Sequence, residues 1–93
     1  MTRVEIFTSS VSGNRKVDGE TKSIKMFFDA HKIEYKEIDI SLDENEDKKK
    51  YLLAKSGSRT IPKVFVDDEF KGDYETLMYA NEDGLLKQSL GLE

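Results

Sequence analysis

Apolar side chains recur along this chain with a period of two in some stretches and about 3.6 in others, and the switches between the two predict its elements. Val4, Ile6 and the adjoining Phe7 form a β-branched and aromatic run that predicts a strand over residues 3 to 8. The serine-rich stretch TSSVSGNRK, Thr8 through Lys16, then closes it. Ile24, Phe27 and Phe28 are spaced i, i+3, i+4, which predicts a helix from about Asp18 to His31. Val17 and either Ala30 or His31 extend the apolar stripe, and Met26 marks its edge. Ile33, Tyr35, Ile38 and Ile40 outline a second strand at about residues 34 to 39. Ser41 and Asp43 are each followed three residues later by a glutamate, Glu44 and Glu46, the capping-box spacing of a helix start. That helix carries Tyr51, Leu52, Leu53 and Ala54, and Gly57 is placed to stop it.

Past residue 58 the pattern changes. Val64, Phe65 and Val66 make a continuous apolar run, as expected of a central strand buried on both faces. Asp67 and Asp68 read as a tight turn into a short edge strand at Glu69 to Lys71, which Gly72 ends. Tyr74, Leu77 and Met78 open a further amphipathic helix, and Gly84 divides it from a last helical segment bearing Leu85, Leu86 and Leu90. The order is β-α-β-α-β-β-α-α, in which the first two strands are expected to be parallel and joined by a right-handed crossover. Pro62, the single proline, lacks an amide hydrogen, so it must open its strand or be held there for a reason. A cis Ile61–Pro62 bond is one such reason, because it turns the chain and exposes the backbone of the preceding residue.

With 93 residues and no linker, repeat or low-complexity segment, residues 1–93 read as one domain with a shallow site. Fifteen Lys and Arg against nineteen Asp and Glu give a net charge of -4, with the bases dispersed except for Lys48 to Lys50. Nucleic acid is therefore not the expected partner. No apolar run reaches membrane-spanning length, and Met1 to Val4 lead directly into strand-like sequence, so a membrane partner is not expected and the cytoplasm is the expected compartment. The absence of cysteine removes disulfides, thiolate ligands and thiol nucleophiles together, and one histidine leaves a soft metal almost no ligands.

TIPKVFVDDEFKGDYETL, residues 60 to 77, resembles the glutaredoxin segment in which T-V-P opens the third strand and a glycine turn after the hairpin opens the next helix. With VEIFTSS and EYKEIDIS the resemblance covers most of the chain. It is most similar to the SH3-domain-binding glutamic-acid-rich-like proteins, whose first strand ends in a loop like Ser10-Val11-Ser12-Gly13-Asn14-Arg15. The resemblance implies an α/β, thioredoxin-like fold: a four-stranded mixed sheet flanked by helices. In a redox-active glutaredoxin the first strand leads to a C-x-x-C or C-x-x-S turn; here Ser9 to Gly13 takes its place, and serine cannot form the disulfide intermediate. No catalytic residue, metal or cofactor is therefore expected, and the chain reads as a redox-inactive monomer rather than an enzyme.

What the resemblance retains is a groove. Glutaredoxins pair glutathione with the residue before the cis proline and place its γ-glutamyl end at the turn after the hairpin. The matching positions are Thr60, Ile61 and Pro62, with Gly72, Asp73, Tyr74 and Glu75 at the turn, Arg59 available to meet a carboxylate, and Ser10, Ser12 and Gly13 on the loop opposite. The family's glycine pair is Gly72-Asp73 here, which adds a side chain and a negative charge. The groove is expected to take a protein partner or a peptide segment, with glutathione, or a glutathione-dependent reaction at Ser10 or Ser12, as the alternative. Two features of the family name are missing from these residues: there is no P-x-x-P and no glutamate-rich tail. Other motifs read as structural. The loop lacks the phosphate-binding G-x-x-x-x-G-K-[ST], and Asp43, Asn45 and Asp47 imitate a calcium loop whose glycine and closing glutamate are replaced by Lys48 and Ala54.

Overall fold

The computed structural model describes residues 3–11, 13–58 and 60–92. β1 (Val4–Thr8) is followed by α1 (Arg15–Ala30), β2 (Lys36–Asp39), α2 (Glu46–Ser56), β3 (Lys63–Val66), β4 (Glu69–Asp73), α3 (Tyr74–Glu82) and the single turn α4 (Leu86–Ser89). This is the predicted order. The strands form one sheet in the order β2-β1-β3-β4, with β1 parallel to β2 and antiparallel to β3, and β3 antiparallel to β4.

Alternation along the strands divides the core into two layers. Val4, Ile6, Val64 and Val66 face Ile24 and Phe28 of α1, Leu77 of α3, and Leu86 and Leu90. Phe7, Ile38 and Phe65 face Leu52 of α2 on the other side of the sheet. β1 and β3 are buried along their whole lengths, as two central strands covered on both faces must be. Among the described residues, no helix is long and apolar enough to cross a membrane.

Four expectations about local structure change. α1 begins at Arg15, three residues before Asp18, because the Asn14 side chain caps it by accepting the amides of Lys16 and Val17. β2 begins at Lys36, and Tyr35 instead packs against Phe28 with ring centroids 5.5 Å apart. Neither Ser41 nor Asp43 makes a capping box: a 3-10 turn at Asp43–Asn45 precedes α2, and Ser41 turns back to Asp39. Gly72 lies inside β4 rather than at its end, paired with Val64 beside a register shift between Val64 and Phe65. Gly57 ends α2 in the left-handed conformation, as expected.

Candidate functional site

β3 and β4 carry the two walls of one groove. The chain enters β3 through Thr60, Ile61 and Pro62, whose Ile61–Pro62 bond is cis, and leaves β4 through Asp73 into α3. Lys63 and Asp73 are directly paired across the strands, which sets these two segments side by side. Thr60, Ile61, Pro62, Asp73, Tyr74 and Glu75 line a cavity of about 220 Å³, and the first turns of α1 close it with Lys16 and Glu20. Six of the residues singled out in the sequence are thus brought together.

Gly72, which precedes Asp73 in β4, is buried and has φ +147°, a conformation that side chains rarely adopt. A Cβ there would lie 2.8 Å from Thr76 Cγ2 and 2.9 Å from Thr76 Cβ, so only glycine lets β4 run this close to α3. Asp73 caps α3: its Oδ1 accepts the Thr76 amide and the Thr76 hydroxyl, each at 3.1 Å. Its carboxylate therefore already serves the Thr76 amide at that helix end. Tyr74 is half-buried, its ring stacked near Phe27 at a centroid distance of 6.5 Å, so it braces α1 against α3 as well as lining the groove.

The remaining predicted positions are placed differently. Ser10 lines a separate depression with Thr8, Ser9 and the β2-facing side of α1. Its amide donates to Asp39 Oδ1 at 3.2 Å, and its hydroxyl lies 3.1 Å from the Ser41 hydroxyl. Gly13 has φ +62° and open space around it. Ser12 and Arg59 lie outside the described residues.

Lys16 and Glu20 were missed by sequence reasoning. The signal was present: they stand i, i+4 at the start of α1 once Asn14 is recognised as the cap. Among the described lining residues they bring the carboxylates to three, Glu20, Asp73 and Glu75, beside the ammonium of Lys16. Among the described residues, no group of three or more His, Asp or Glu side chains is arranged to hold a metal ion.

A profile of the family described as SH3-binding, glutamic acid-rich protein matches residues 2–93. An SH3 domain-binding glutamic acid-rich protein homolog of Drosophila melanogaster is 31% identical over 101 residues, covering 96% of this chain, which spans 64% of that relative's length. Among solved structures, the C. albicans actin interacting protein Aip5 superposes with a TM-score of 0.78 at 25% identity, over 96% of this chain and 88% of that one. A buckwheat glutaredoxin–glutathione complex superposes with a TM-score of 0.73 at 23% identity, over 97% and 77% of the two chains, a likeness of fold alone. On these matches and a glutaredoxin-like sheet, the chain belongs to the SH3-binding, glutamic acid-rich protein family.

Proposed function

We propose that this chain is a redox-inactive, glutaredoxin-like interaction module that holds an extended segment of a protein partner along the groove between Thr60–Pro62 and Asp73–Glu75. The observation that carries this reading is that Thr60 to Pro62 and Asp73 to Glu75 line one cavity while the chain contains no cysteine. Disulfide exchange requires a thiolate, and the hydroxyl of Ser10 is engaged with Ser41 away from the groove. An extended peptide can pair with main chain at such an edge and take its specificity from the lining side chains. The relatives lend support, one named for binding SH3 domains and one for interacting with actin.

Glutathione fits this groove poorly. Its γ-glutamyl carboxylate would arrive at the start of α3, where the Asp73 carboxylate already accepts the Thr76 amide. A tripeptide of net negative charge also meets, among the described lining residues, the carboxylates of Glu20, Asp73 and Glu75. Because the 93 residues contain one proline, Pro62, which is buried, contact with an SH3 domain would not use a polyproline helix from this segment.

The test is a pair of measurements on the purified chain: turnover of glutathione-linked disulfides, and amide NMR shifts during titration with glutathione. The expected result is no turnover and no shift at Ile61 to Lys63 or Asp73 to Glu75 up to millimolar ligand. Disulfide turnover by the pure polypeptide would refute the reading.

A further inference from the structure

Lys63 opens β3 immediately after Pro62, yet it is buried, at 5% exposure. Its Nζ donates to Ser56 Oγ at 3.0 Å, to the Ser58 carbonyl oxygen at 3.2 Å and to Ser58 Oγ at 2.5 Å. All three acceptors are uncharged, and the ammonium lies 5.7 Å from the centre of the Phe70 ring. Burial holds the Lys63 pKa below the ordinary lysine value, against the pull of the Asp73 carboxylate. A methionine would fill similar space without desolvating a charge, so packing alone gives no reason for a cation here.

The hydrogen bonds themselves supply a reason. From Lys63 the chain of contacts continues, since the Ser58 hydroxyl donates to Thr60 Oγ1 at 3.3 Å. Thr60 is the first residue of one groove wall, and Asp73, the Cα partner of Lys63 across the sheet, is the first residue of the other. One residue is therefore linked to both walls: by its place in the sheet to Asp73, and by its side chain, through the Ser58 hydroxyl, to Thr60.

We propose that Lys63 is the positioning residue of the groove, its ammonium holding the Ser56–Ser58 turn, and through Ser58 the Thr60 wall, at a set distance from Asp73. This rests on the reading of the groove as the partner-binding surface, but the geometry it asserts belongs to the free protein. A preset edge binds more tightly because less backbone must be ordered on association.

The test is 15N relaxation on the full chain as wild type, Lys63→Met, Lys63→Arg and Ser58→Ala, with thermal unfolding of each. In Lys63→Met the backbone order parameters at Ser58, Thr60 and Ile61 are expected to fall from about 0.85 to below about 0.6. Those at Val64 to Val66 should stay at the wild-type level. Lys63→Arg, whose guanidinium can reach the same oxygens, should restore order. A Lys63→Met chain as ordered as wild type at Ser58, Thr60 and Ile61, or no rescue by arginine, would overturn the proposal. Should Lys63→Met fail to fold, Ser58→Ala cuts the same link while keeping the lysine, and an unchanged Thr60 there is equally contradictory. Because no ligand enters the measurement, its failure is distinct from failure of the partner-binding reading.

Discussion

The Asp39 carboxylate at the end of β2 and the backbone amide of Ser10, just past β1, are joined by a 3.2 Å hydrogen bond. The same Oδ1 accepts the Ser41 amide at 2.9 Å and the Ser41 hydroxyl at 2.5 Å, so one carboxylate ties together the loops that follow two parallel strands. Partial burial pushes the Asp39 pKa up, but the hydrogen bonds from Ser10 and Ser41 outweigh it and bring it down to about 2. A carboxyl depressed in the folded state contributes stability above its unfolded value, near 4, and loses it as pH falls toward 2. Allowing for solvent screening, the loss should be about 1 kcal/mol. Urea unfolding of wild type and Asp39→Asn between pH 7 and 2 measures it: the wild type should lose more stability than the variant below pH 4, and parallel acid limbs would count against the tie.

Gly72 and Gly84 both have positive φ, but only at Gly72 does an added Cβ meet another residue. Gly72→Ala combines backbone strain with a clash against Thr76 and should cost about 3 kcal/mol. Gly84→Ala, with open space around it, should cost about 1 kcal/mol from conformation alone. Chemical denaturation of the two variants separates these contributions, and equal costs would mean that α3 yields freely beside β4.

Asp73 has a structural duty apart from its charge in the groove. Asp73→Ala removes the cap of α3 and should destabilise by about 1 kcal/mol, whereas Asp73→Asn, which also caps, should cost less than half of that. Thermal unfolding of the pair decides between capping and charge as the reason for an acid at this position.

Charge in the groove should govern small anionic ligands. Glu20→Gln/Glu75→Gln removes two of the three carboxylates among the described lining residues, and in low salt its amide shifts at Ile61 and Tyr74 with about 10 mM glutathione should exceed those of wild type, the difference shrinking as salt screens the groove. Identical titrations would show that the carboxylates do not control entry.

Much of this was legible because the informative residues are punctuation: Pro62 before an apolar run, Asp67-Asp68 between two strands, and Gly72-Asp73 before an amphipathic helix. These fix where the chain turns, and the turns place Thr60 to Pro62 beside Asp73 to Glu75. What escaped the sequence depends on contacts between segments far apart in the chain. Ser10 is expected on the loop opposite the groove, but Asp39, twenty-nine residues later, draws it away. Lys16 and Glu20 reach the groove because Asn14 starts α1 early. Lys63 would be expected at the surface, and its burial follows from a strand that is covered on both sides from its first residue.

The claim that this fold works by recognition at the groove is tested most directly by reversing the groove's charge without disturbing its packing. Affinity capture from cell extract, quantified by mass spectrometry, would compare wild type, Glu20→Lys/Glu75→Lys, and a control such as Lys49→Ala on α2, with folding of each checked by circular dichroism. The account predicts that proteins retained by wild type and by the control, with reductant present, are lost from the groove variant. The same proteins retained equally by all three would contradict it.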